Sequence, residues 1–102
     1  MVQMIELDYN DKVYLIPELS FEDESELAFK YKDEIYDAMY VSLSILYQEP
    51  EYKKVPCFMA NDIVFELDRG YTEEHCDNCI QHYTEIEEYE KCSYLLTIKD
   101  KL

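Results

Sequence analysis

Residues 20–48 read SFEDESELAFKYKDEIYDAMYVSLSILYQ, a run without Pro or Gly in which apolar residues recur at helical spacing. That pattern predicts one long helix. Ser20 with Asp23 three positions on fits an N-cap box, and the acids Glu22, Asp23, Glu24 and Glu26 suit the positive end of a helix dipole. Glu49-Pro50 closes the run, because Pro lacks a backbone donor and forces its predecessor out of the helical region. Two apolar stripes share the helix. One passes through Leu27, Tyr31, Ile35, Ala38 or Met39, and Leu46, the other through Phe29, Tyr36, Tyr40, Leu43 and Tyr47. From Ile35 onward the helix is apolar nearly all round, so it is expected to be either the central core helix of a small sheet-and-helix domain or covered on its second side by a partner.

Working outward, Val2 to Asp8 and Val13 to Ile16 flank the turn signal Asn10-Asp11 and predict a β-hairpin, with Pro17 ending its second strand. Beyond the helix, Cys57-Phe58-Met59 and Ile63-Val64-Phe65 are separated by Asn61-Asp62. A second hairpin fits, and so does one strand with a bulge. Asp68-Arg69-Gly70 holds the only Gly and reads as a loop. Thr72 then caps a second helix from Glu73 to about Lys91, whose Cys76, Cys79, Ile80, Tyr83, Ile86 and Tyr89 or Glu90 form a narrow stripe. Ser93 to Lys99, SYLLTIK, is β-branched and aromatic enough for a closing strand. The expected fold is one α+β domain over residues 1–102: a mostly antiparallel sheet of about five short strands packed on one long helix plus a second helix.

At 102 residues the chain has room for one core, and with 48% hydrophobic and 15% aromatic residues it is not a disordered polymer. Its 24 acidic against 9 basic residues give a formal charge of −15. Direct nucleic-acid binding is therefore excluded as an expectation, since that requires Lys and Arg to neutralise phosphates. Self-repulsion on this scale calls for an explanation beyond solubility. The N-terminal MVQMIELDY lacks a basic leader followed by an apolar segment, and no apolar run approaches a membrane span; a cytoplasmic location is the expectation. Cys57, Cys76, Cys79 and Cys92 are then reduced thiols.

No catalytic constellation emerges. Cys76-Asp77-Asn78-Cys79 has redox CxxC spacing, but helical residues precede it, whereas such a motif opens its helix. Zinc held by Cys57, Cys76, Cys79 and Cys92, or by His75, Cys79 and His82 on one helical face, is the alternative to plain buried thiols; a second paired motif is missing. Both histidines lie in the same helix as two of the cysteines, which suits a shared metal better than a nucleophile and its base. A single Gly rules out a Gly-rich phosphate loop, and the protein is expected not to be an enzyme and to need no cofactor.

The acidic pattern is the signal that remains. Glu22 with Glu26, Asp33 with Asp37, Glu73 and Glu74 with Asp77, and Glu85 with Glu88 are like-charge neighbours at three or four residues, each costing a few tenths of a kcal/mol relative to a Glu-Lys pair. Carboxylates one turn apart stand about 6 Å apart along the axis, the order of successive phosphates on one nucleic-acid strand. Eleven tyrosines add amphipathic side chains suited to interfaces and to stacking on Arg. The expected partner-binding surface is Asp33, Tyr36, Asp37, Tyr40 and Tyr47, with Glu73, Glu74, Asp77, Glu85 and Glu88.

In size, in the acid runs FEDESE (21–26) and EIEEYE (85–90) and in its tyrosine content, the chain resembles the small acidic inhibitors of phages and mobile elements, including anti-CRISPR and DNA-mimic anti-restriction proteins. The resemblance is one of composition and carries over no functional residue. It implies inhibition of a defence nuclease or other basic nucleic-acid-handling complex, by filling its groove or locking its conformation. Alternatives are an acidic homodimeric adaptor paired through the second stripe of the long helix, and a zinc-stabilised binding module.

Overall fold

A computed structural model describes residues 2–101. Strands β1 (Gln3–Tyr9) and β2 (Lys12–Leu19) form a hairpin in which Tyr9 pairs with Lys12 across Asn10-Asp11. Both turn residues have positive φ, 50° and 65°. This is the turn geometry whose twist matches that of the strands, and Asn and Asp tolerate it. The same device closes β3 (Lys54–Ala60) on β4 (Ile63–Asp68), with Asn61 at 49° and Asp62 at 68°. The second hairpin is the reading that holds, and Asn61-Asp62 is its turn rather than a bulge in one strand; a register shift between Pro56 and Phe58 puts a bulge elsewhere, within β3.

The sheet order is β1-β2-β3-β4, and β2 runs parallel to β3. The α+β class expected from sequence holds, but the sheet has four strands and is mixed. Between β2 and β3 only Glu18 with Met59 and Leu19 with Ala60 are paired. Pro17, which lies inside β2 rather than ending it, and Pro56 of β3 both lack the donor that a longer ladder would need just below that pairing.

The stretch 20–48 is two helices, α1 (Glu24–Lys30) and α2 (Lys32–Gln48), broken at Tyr31 with φ −113° and ψ 26°. A straight helix over the whole stretch would be roughly 44 Å long, whereas the domain measures 37 × 35 × 20 Å. Phe21 is also clamped: Asn61 Nδ2 donates to its carbonyl at 2.9 Å and its N–H donates to Asn61 Oδ1 at 3.3 Å. The cap is Asp23, which accepts from the Ser25 N–H at 3.0 Å, and not Ser20. The stop at Glu49 stands as expected.

A short 3₁₀ turn (Arg69–Tyr71) leads into α3 (Thr72–Glu85), whose N-cap is Tyr71 with Thr72 already helical. α3 stops well before Lys91. Glu87 takes φ 62°, its N–H donates to the Thr84 carbonyl at 3.2 Å, and the Glu88 N–H donates to the Tyr83 carbonyl at 2.8 Å. These two bonds around a left-handed residue make a Schellman C-cap. The chain then turns back as α4 (Tyr89–Lys101), so SYLLTIK is helical and not a closing strand. Cys92, Leu95 and Ile98, three residues apart, are its buried face. α2 packs against β3, α3 and α4 around Leu19, Leu43, Leu46, Val55, Leu67 and Tyr83.

The chain's one arginine has a structural task. Arg69 donates through Nε to the Tyr52 carbonyl at 2.7 Å and through Nη2 to the carbonyls of Leu46 and Glu49 at 2.7 and 2.8 Å. It thereby satisfies the exposed carbonyls at the negative end of α2.

Candidate functional site

The second stripe of the former long helix is a packing seam. Tyr36 stacks on His82 with ring centroids 4.3 Å apart and planes 10° apart. Tyr40 meets Tyr83 edge-on at 5.7 Å, and Tyr47 meets Tyr94 edge-on at 6.0 Å. Tyr36, Tyr40 and Tyr47 are half-buried and Leu43 is fully buried, so α3 and α4 cover the side through which two copies would have paired. Phe29, at the start of that stripe, is 91% exposed on α1.

The ten expected binding residues fall into separate places. Asp33 and Asp37 stand one turn apart on α2, both well exposed, and α3 brings the Glu85 carboxylate alongside, 3.7 Å from Lys32 Nζ. Asp37 Oδ1 accepts from the Tyr83 hydroxyl at 2.6 Å and lies 3.8 Å from Lys91 Nζ. Asp33 Oδ1 is 3.5 Å from His82 Nε2, and neither nitrogen of that buried ring makes a hydrogen bond among the described residues. Glu88 follows the C-cap and is exposed, so it is not a helical neighbour of Glu85. Glu22 likewise precedes α1. Glu73 and Glu74 sit at the other end of α3, about 16–18 Å along the axis from Glu85, and Asp77 near its middle, about 12 Å away, where it takes a 2.7 Å hydrogen bond from Lys99 Nζ.

Cys57, Cys76, Cys79 and Cys92 are all buried and unpaired. Burial pushes the thiols of Cys57 and Cys76 up to about 11 and that of Cys79 to about 12, with Cys76 and Cys57 beside Cys79 adding to the effect. A redox CxxC needs the opposite shift. Burial also lowers the pKa of the His75 imidazole. Among the described residues no group of three or more His, Cys, Asp or Glu side chains is placed to hold a metal.

Sequence reasoning missed a cleft of about 580 Å³ between α2 and the β1/β2 hairpin, whose wall includes Met4, Val13, Leu15, Val41 and Ile45. Its signal was present in the helix that stays apolar nearly all round after Ile35 and in the alternation Val13, Leu15, Pro17.

Comparison with known proteins finds no matching family model, no matching curated protein and no matching solved structure. No helix among the described residues is long and apolar enough to cross a membrane.

Proposed function

We propose that the protein acts by binding, as an inhibitor that docks on a basic nucleic-acid-handling enzyme or defence nuclease complex of the kind met by anti-CRISPR and anti-restriction proteins. The observation that carries this reading is the group of exposed carboxylates on α2 and α3: Asp33, Asp37 and Glu85, with Glu88 beyond them. The Tyr36–His82 stack and the Tyr83 hydrogen bond to Asp37 hold this face rigid, so little ordering entropy is lost on docking. Charge steers the encounter with a basic groove, and Asp33 and Asp37 stand in for neighbouring phosphates. Tyr40 supports the face from within through its contact with Tyr83, whereas Tyr47 packs on Tyr94 about 15 Å along α2 from Asp37.

The test is a tagged pull-down from bacterial host lysate, washed across a salt series and challenged with short duplex DNA and RNA. The expected result is capture of one nuclease or nucleoprotein complex that salt or nucleic acid releases and that Asp33→Asn with Asp37→Asn weakens. A captured partner indifferent to salt and to nucleic acid overturns groove occupation.

A further inference from the structure

Down one flank of α2 run Glu34, Ala38, Val41, Ile45 and Glu49, at steps of three and four residues, so they form a single row. The row is apolar in the middle and acidic at both ends, which are about 22 Å apart. Opposite it stands the hairpin. Leu19 turns into the core beside Ala60, so Pro17, Leu15 and Val13, at alternate positions, share its face, and Met4 joins them as the partner of Pro17. That face should be covered, but β2 stops pairing with β3 below Glu18 and the hairpin swings away from α2. Met4, Val13, Leu15 and Val41 are left 49%, 65%, 62% and 53% exposed around the cleft.

A contiguous exposed apolar patch of this kind marks a binding surface. Its charge says what for. Glu34, Asp37 and Glu49 line the cleft against one cation, Lys12, which is drawn aside over the Tyr52 ring at 5.1 Å. Glu6 and Asp8 share the Leu15 and Val13 face and extend the acidic rim.

We propose that this cleft binds a segment of a protein partner carrying a few apolar side chains flanked on both sides by Lys or Arg. The apolar residues fill the space between Val41, Ile45 and the hairpin, and the flanking cations meet Glu34 at one end and Glu49 at the other, while Asp37 stays engaged by Tyr83 and Lys91. The length of the row and the acids at both of its ends suit an elongated segment rather than a compact molecule. The inference goes beyond the function proposed above: it concerns the flank of α2 that carries Val41 and Ile45, not the one that carries Asp33, and it holds whether or not the partner handles nucleic acid.

The probe is a synthetic amphipathic Leu/Lys peptide of about 12 residues, set against a Lys/Ser peptide of equal length and charge. Binding is followed by methyl and amide NMR shifts. The Leu/Lys peptide is expected to bind with its largest shifts at Val13, Leu15, Val41 and Ile45, and the Lys/Ser peptide at least about tenfold more weakly. Val41→Asp is expected to weaken the Leu/Lys peptide by a similar factor although it adds an anion, and Leu15→Ser serves if that variant loses its fold. Equal binding of both peptides, shifts confined to the Asp33 and Glu85 face, no binding, or self-association through the cleft each overturns the proposal. A negative pull-down with an intact cleft result would instead remove the nuclease reading alone.

Discussion

The hydroxyl of Tyr83, on the last full turn of α3 and with no exposed surface, donates to Asp37 Oδ1 on α2 at 2.6 Å, joining a core side chain to a carboxylate of the proposed binding face. Tyr83→Phe keeps the ring packing with Tyr40 and the Lys91 ammonium 4.8 Å from the ring centroid. It removes only the hydrogen bond. Asp37 is more than half exposed, so the loss is expected to be about 1 kcal/mol rather than the 2–3 of a buried charged pair. Urea unfolding of Tyr83→Phe, Asp37→Asn and the double variant measures it; additive effects would show that the two residues do not act together.

Alkali is expected to unfold the protein. Burial, before any charge effect, holds the Cys57, Cys76 and Cys79 thiols well above their usual 9.0, and it raises the Tyr83 and Tyr9 hydroxyls above 10.0, each with further help from a carboxylate acceptor. Each group binds its proton more tightly folded than unfolded. Well below pH 9.0 the thiols and hydroxyls are protonated in both states and give no slope, while as pH approaches and passes 9.0 the folded chain holds more protons than the unfolded one and stability falls as pH rises. Urea midpoints should decline from about pH 9 through 12; a constant midpoint over that window would contradict the buried placement.

Arg69→Lys is expected to cost about 2 kcal/mol, because one ammonium cannot reproduce a planar fork bonded to the Leu46 and Glu49 carbonyls at the end of α2 and to the Tyr52 carbonyl of the following connector. The charge is unchanged, so a drop in melting temperature isolates geometry. An unchanged melting temperature would mean water satisfies those carbonyls equally well.

Glu87→Gly is expected to stabilise the fold by about 1 kcal/mol. A left-handed conformation at φ 62° strains a Glu, which lacks the short polar side chain that lets Asn and Asp tolerate it, and leaves Gly unstrained. The corresponding rise in melting temperature is about 4–8 °C for a domain of this size. A fall would mean that the Glu87 side chain holds the α3–α4 turn.

What was legible in the chain was local. Asn10-Asp11 announced a hairpin because the turn chemistry lies in the residues themselves, Asn61-Asp62 fitted one beside the alternative of a bulged strand, and Glu49-Pro50 marked a helix end for the same local reason. The break at Tyr31 had no such mark, since neither Gly nor Pro stands there. The reversal at Glu87 was equally silent, because a Glu occupies the position that Gly prefers in a C-cap. Ser93 to Lys99 looked like a strand by composition, yet the three-residue spacing of Cys92, Leu95 and Ile98 was the better guide. Of the site, Asp33, Asp37 and their one-turn spacing could be read directly, whereas the part of Tyr36, Tyr40 and Tyr47 in the seam with α3 and α4 could not.

The sequence by itself determined that the fold would be α+β, that the net charge would be −15 and that Asn10-Asp11 would turn the chain. These follow from composition and from interactions within a few residues. Tertiary structure alone decided that Glu85 would stand with Asp33 and Asp37 while Glu73 and Glu74 would not, and that Val41 and Leu15 would face each other across an open cleft. Those relations depend on where α1 breaks from α2 and on how α3 and α4 fold back over α2, which the packing of distant segments settles; Pro17 and Pro56 limit the β2–β3 pairing locally, but where the hairpin then lies is again a matter of packing.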